Sequence, residues 1–118
     1  MAEASVLSTH VLNVAEGVPA EGVSVELWRL RPAEELVARA ETSADGRAGD
    51  ALLPPAAFAP GAYELRFGLG DYFRRRGLAA DPPFLDVVPV RIVLAADRGH
   101  YHVPLLCSPW SYTTYRGS

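Results

Sequence analysis

Apolar and polar residues alternate over short stretches of this chain, and Gly, Pro or Asp-Gly interrupts them every 8 to 15 residues. A strand with one buried face requires a two-residue period, and frequent turn residues between such stretches mark an all-β sandwich or barrel. Residues 6–14, VLSTHVLNV, are rich in β-branched side chains and predict a first strand; AEGVPAEG follows as a loop. VSVELWRL, residues 23–30, sets Val23, Val25, Leu27 and Arg29 against Ser24, Glu26, Trp28 and Leu30. Neither set is wholly polar, as in a strand partly covered on both sides. ELVARAET, residues 35–42, sets Leu36, Ala38 and Ala40 against Val37, Arg39 and Glu41.

SADGRAGD is then a turn, with Asp45-Gly46 its strongest signal. LLPPAAFAP, residues 52–60, holds three prolines and is excluded from any central strand. YELRFGL puts Tyr63, Leu65, Phe67 and Leu69 on one face. DYFRRRGL, residues 71–78, breaks the β pattern and predicts a short helix capped by Asp71 and ended by Gly77. VVPVRIVLA, residues 87–95, is a strand that Pro89 confines to an edge or a bulge. ADRGH turns into YHVPLL, and SPW leads to a last strand in SYTTY. The expectation is a two-sheet β-sandwich of about eight strands and one short helix, without repeats or linkers. Its 118 residues make one domain, 1–118, large enough for a single core.

Composition narrows the function classes. At 49% hydrophobic and 21% charged residues, wholesale disorder is excluded. Fourteen acidic residues against eleven basic ones give a net charge of −3, opposite to what a nucleic-acid partner favours. Every basic residue is Arg, so lysine Schiff-base chemistry is absent. Cys107 stands alone, which forbids an intrachain disulfide and any multi-cysteine metal site. No apolar run reaches the roughly 18 residues of a membrane span, and MAEASVLSTH lacks the basic and apolar regions of a secretory signal. A cytoplasmic protein is expected, with no membrane partner.

The candidates for chemistry are His10, His100, His102 and Arg47. His10 shares a strand face with Ser8 and Leu12, and His102 shares one with His100 and Pro104. Arg47 follows Asp-Gly, where a long side chain projects from a rigid corner. Each has a plain structural reading. A lone strand histidine is more often a hydrogen-bonded structural residue than a catalyst, and an arginine in a turn is usually solvated. The His100/His102 pair lacks a nearby third ligand, so no metal is expected. Arg74-Arg75-Arg76 reads as a solvated face, Gly68-Leu69-Gly70 has no following Lys, and Ser108 is not in a G-x-S-x-G elbow. Cys107 adjoins an apolar run and reads as a buried thiol.

Taken together, these pieces resemble a family. Ser8-Thr9-His10-Val11-Leu12-Asn13 is similar to the opening signature of the transthyretin-like family. Thr42 with Asp45-Gly46-Arg47 resembles its T-x-x-D-G-R turn. His100 to Leu106 with Ser108-Pro109 resembles its late strand. Tyr115-Arg116-Gly117-Ser118 is similar to the Y-R-G-S ending of the enzymatic branch, the 5-hydroxyisourate hydrolases; transthyretins proper lack it.

The resemblance implies a transthyretin-like fold, a homotetramer built as a dimer of dimers, and active sites at the dimer–dimer interface. It implies hydrolysis of 5-hydroxyisourate to 2-oxo-4-hydroxy-4-carboxy-5-ureidoimidazoline, with no cofactor. Residue by residue, His10, Arg47 and His102 match the catalytic His, Arg and His; Tyr115 and Ser118 match the tail that closes the site, and His100 and Arg116 stand beside it. These residue types suit such a hydrolysis, because imidazole moves protons and guanidinium is a cationic fork for oxygens that gain charge. Two other readings compete. One is a non-enzymatic carrier of the same fold, which needs an apolar channel. The other is a carboxypeptidase-regulatory-like binding module, which Gly22 to Leu27 and Asp45-Gly46 fit loosely.

Overall fold

The computed structural model describes residues 6–48, 52–96 and 99–117; Ser118 and parts of two turns lie outside the described residues. Nine strands occur among them: β1 (Leu7–Asn13), β2 (Val18–Pro19), β3 (Ser24–Arg29), β4 (Glu35–Glu41), β5 (Arg47–Ala48), β6 (Gly61–Gly68), β7 (Val87–Leu94), β8 (Tyr101–Cys107) and β9 (Tyr112–Thr114). One sheet runs β2-β1-β8-β9, with β5 also paired to β1; the other runs β4-β3-β6-β7. All pairings are antiparallel except β1 with β8, which is parallel and aligns Ser8 with His102 and His10 with Pro104.

The period of two decides what goes inside. Along β1, Leu7, Thr9, Val11 and Asn13 are buried while Ser8, His10 and Leu12 are partly exposed. Their inward neighbours on β8 are Val103, Leu105 and Cys107. Val25, Leu27, Tyr63, Leu65, Phe67, Val88 and Val90 face them from the second sheet, and the buried Phe73 and Tyr72 of the helix close one end. Each fully buried large side chain contributes roughly 1.5–3 kcal/mol. Among the buried polar groups, Thr9 Oγ1 donates to the Val103 carbonyl at 2.6 Å and Asn13 Nδ2 donates to the Tyr72 hydroxyl at 3.1 Å, whereas Arg29 Nε has no hydrogen-bond partner among the described residues.

Pro89 sits in β7, an edge strand, as its missing N–H requires. Three expectations need correcting. The helix, α1, spans Leu69–Arg75 and begins two residues before Asp71; Gly68 is its N-cap, and Asp71 lies in the first turn, paired with Arg74 at 2.7 Å. Its side chain therefore caps nothing, although Gly77 does follow the C-cap with φ 72°. In β4 the register shifts between Leu27 and Trp28: Ala38 pairs with Leu27 but Leu36 pairs with Trp28. Val37 is the extra residue, so it packs on the core while Leu36 leaves the face of Ala38 and Ala40. Finally, β2 and β5 are two-residue strands inside segments expected as loop and turn, because β1 offers backbone partners on that edge.

The outer face of the β4-β3-β6-β7 sheet is a closed lattice of charge. Glu64, only 6% exposed, accepts from Arg66 Nε at 2.6 Å and from Arg91 at 3.2 Å. Arg66 also reaches Glu34 at 3.0 Å and stacks 4.3 Å from the Trp28 ring. Glu26 accepts from Trp28 Nε1 and from Arg39. The Arg74–Arg76 run is exposed as expected, with Arg76 paired to Glu16 and Arg75 donating to the Gly22 carbonyl.

Candidate active site

The opposite outer face carries the histidines. It begins with Thr42, which is buried, donates to the Ala20 carbonyl at 2.6 Å and accepts from Val23 N–H at 2.8 Å. That fixes the start of the turn. Ser43 Oγ then donates to Asp45 Oδ1 at 2.6 Å, and the same carboxylate oxygen accepts the Arg47 N–H at 3.0 Å. Those bonds hold the Asp45 carboxyl below the usual carboxylate range, the Ser43 hydroxyl contributing most. Gly46 has φ 81°, and a Cβ there would lie 2.4 Å from the Val11 carbonyl oxygen. Only glycine tolerates both demands, so the turn can press flat against β1. Arg47 emerges directly opposite His10.

His10 is half-buried, and its Nε2 lies 2.7 Å from the Asp45 carbonyl oxygen. A carbonyl only accepts, so this nitrogen carries the proton. Arg47 is exposed, with its Nε 3.6 Å from Asp45 Oδ2, which leaves much of the fork open. His102 is the diagonal neighbour of His10 across the parallel ladder, and its Nδ1 lies 2.8 Å from Ser8 Oγ. Partial burial is the main force holding the His102 pKa below its ordinary value, and the charges of Arg47, His100 and His10 add to it. The ring is therefore neutral near pH 7, and among the described residues its Nε2 has no hydrogen-bond partner.

The tail returns to this spot. Gly117 N–H donates to the His102 carbonyl at 2.7 Å in an isolated antiparallel bridge. Tyr115 is 57% exposed, and Arg116 stacks 4.4 Å from the Tyr101 ring. Thus His10, Arg47 and His102 meet on one face, while Tyr115 lines a separate cleft and Ser118 is outside the described residues. The exposed His100 ring is 6.4 Å from that of His102, centroid to centroid. Among the described residues no group of three His, Cys, Asp or Glu is placed to hold a metal ion. Cys107 is buried, its thiol pushed up to about 12 by burial, which leaves no thiolate for nucleophilic work.

Residue-by-residue reading missed Ser8, which carried no signal beyond sharing a face with His10. A cleft of about 310 Å³ lies between β7 and the β8–β9 edge, and its lining includes Val90, Tyr101, Val103, Thr114, Tyr115 and Arg116. None of His10, Arg47 and His102 lines it, whereas the tail residues Tyr115 and Arg116 do.

Comparison with known proteins identifies the family. A protein from Rhizobium meliloti (strain 1021) named 5-hydroxyisourate hydrolase 2 is 48% identical over 120 residues, covering all of both chains. The solved structure of an (S)-allantoin synthase superimposes with a TM-score of 0.87 at 43% identity; it covers 99% of this chain, which spans only 45% of that longer one. Sea bream transthyretin in complex with thyroxine superimposes with a TM-score of 0.84 at 27% identity, over 94% of this chain and 93% of that one. The model of the HIUase/Transthyretin family matches residues 7–117, and the chain belongs to that family.

Proposed function

We propose that this chain is a hydrolase that opens 5-hydroxyisourate to 2-oxo-4-hydroxy-4-carboxy-5-ureidoimidazoline. The observation that carries the reading is the convergence of His10, Arg47 and His102 on one open face of a chain in this family. Water adds to the C6 carbonyl, and the bond from C6 to N1 then breaks. A neutral imidazole takes the proton from water and returns one to N1, work that typically contributes about a hundred- to ten-thousand-fold. His102 suits the base role, because its pKa is lowered and its Nε2 is open. Arg47 faces the oxygen that gains charge, a donor contribution of about 3 kcal/mol. His10 orients substrate through the nitrogen that its Asp45 bond leaves bare. The reading uses no metal. By the family resemblance, we assign Tyr115 to substrate binding and Ser118, outside the described residues, to positioning water or substrate.

The face is too open to exclude water by itself: His10 and His102 are half-buried and Arg47 is exposed. We assign the missing wall to a second copy, in a homotetramer with sites at the dimer–dimer interface. The exposed Val87 and Val93 on edge strand β7 support association. No helix among the described residues is long and apolar enough to cross a membrane, and we place the enzyme in the cytoplasm.

The test follows the absorbance of 5-hydroxyisourate made freshly by urate oxidation. The purified protein is expected to speed its decay well above the spontaneous rate; an unchanged rate sinks the proposal. The likeness to a thyroxine-bound transthyretin favours a carrier as the second reading. Binding of an aromatic hormone-like ligand without turnover would establish it.

A further inference from the structure

We propose that Ser8 and Gly117 are positioning residues for His102, together holding the ring so that Nε2 faces the reacting water. The proposal rests on the hydrolase reading above. Two independent contacts carry it. The parallel register of β1 and β8 sets Ser8 directly opposite His102, and the hydroxyl lies 2.8 Å from Nδ1. On the other side, the tail lays Gly117 against the same ring. A Cβ built at Gly117 would lie 2.8 Å from His102 Cδ2 and 3.4 Å from Cγ. The backbone there is ordinary, so space, not conformation, demands glycine. One edge of the ring is tied and the other is abutted by a residue with no side chain.

The identity of the tie matters. His10 donates Nε2–H to a carbonyl, which fixes its proton on that atom. His102 has to keep Nε2 bare to act as a base, so its proton sits on Nδ1 and is donated to Ser8 Oγ. A hydroxyl accepts that bond without bringing negative charge. A carboxylate in its place would hold the same tautomer but stabilise the imidazolium and trap the abstracted proton. The other titratable or charged groups that act on the ring are His10 on β1, Arg47 at the turn into β5 and His100 before β8, with Asp45 paired to Arg47 and its carbonyl bonded to His10. During turnover Nε2 takes the proton from water while Nδ1–H stays on Ser8. The same Nε2 proton then goes to N1 as the bond from C6 breaks.

Four variants and one spectrum test this. Ser8→Ala is expected to lower kcat about tenfold with KM changed less than about twofold. Ser8→Thr, which keeps the hydroxyl, is expected to restore it to within about twofold. Ser8→Asp is expected to move the acid limb of the pH–rate profile upward by about one unit or more. Nitrogen-15 spectra of the imidazoles, assigned with His→Asn variants, are expected to show the Nδ1–H tautomer for His102 in the parent and a mixed one in Ser8→Ala. Gly117→Ala is expected to keep the fold by circular dichroism while losing turnover, since its methyl displaces the ring. An Nε2–H tautomer in the parent, or a Ser8→Ala variant with unchanged kcat, pH profile and spectrum, overturns the proposal. The spectrum needs no substrate, so a parent protein without hydrolase activity would refute the functional reading and still leave the positioning role decided.

Discussion

The two outer faces of this sandwich make opposite use of polar residues. On the β4-β3-β6-β7 face, each charge answers another: Glu64 holds Arg66 and Arg91, Arg66 holds Glu34 and covers Trp28, and Glu26 holds Arg39. On the β1–β8 face, polar groups are held by one end and left open at the other. His10 spends Nε2 on a carbonyl, His102 has only Ser8 at Nδ1, and Arg47 touches Asp45 only at 3.6 Å. The first pattern consumes hydrogen-bonding capacity within the fold. The second reserves it for something that arrives.

The largest expected effect lies on the open face. His102→Asn should lower kcat by about a hundred- to ten-thousand-fold with little change in melting temperature, because it removes proton transfer without opening the core. Steady-state kinetics beside a thermal melt would check both halves; a large loss of stability would contradict the division of labour between the faces. Arg47→Lys should cost about a hundredfold in kcat/KM, since a point charge cannot reproduce the fork. Near-normal turnover there would remove Arg47 from the mechanism. The pH profile sharpens the same point. Burial and neighbouring cations lower the His102 pKa, so the neutral base persists below pH 6.5. Activity should fall only as pH drops through an apparent pKa beneath that value, and an acid limb above 6.5 would assign the base elsewhere.

The closed face should respond in stability and not in rate. Glu64→Ala strands two arginines around a buried site and should cost about 2 kcal/mol by denaturant titration, with kcat unchanged. The Arg66 bond first, and then Arg91, lower the Glu64 pKa. This contribution is therefore full above the ordinary carboxylate value of 4.5 and is lost as pH falls through the lower folded value. The smallest effect belongs to Arg91→Ala, whose side chain is 66% exposed: less than about 1 kcal/mol. If Arg91→Ala matched Glu64→Ala, the lattice would depend on its rim and not on its buried anion.

Much of this contrast is legible in the chain itself. Alternation locates the strands, Pro89 declares an edge, and Asp45-Gly46 declares the turn that the left-handed φ of Gly46 requires. What alternation cannot express is partnership. Nothing in the chain's local pattern joins Ser8 to His102 across 94 positions, because a parallel pairing has no connecting hairpin to announce it. The bulge at Val37 is hidden for a similar reason: it follows from fitting β4 to Leu27 and Trp28, not from β4 itself. Asp71 looks like a cap because the helix pattern starts there, but Leu69 enters the helix early, buried in the core. The convergence of His10, Arg47 and His102 is an expectation from family resemblance. Spacing alone leaves each with a plain structural reading.

The parallel ladder between β1 and β8 also sets a timetable. During synthesis β1 emerges first, yet its partner along its whole length is residues 101–107. One edge of β1 can pair early with β2 and β5, but the edge that meets β8 has to wait until residues 101–107 have left the ribosome. Long-range pairing of this kind slows folding and prolongs exposure of an unpaired strand. The waiting strand carries a serine, a threonine, a histidine and an asparagine among its seven residues, a composition less prone to sticking than a run of Val and Ile. Two of these four, Ser8 and His10, belong to the site face and so also suit the interval before there is a site.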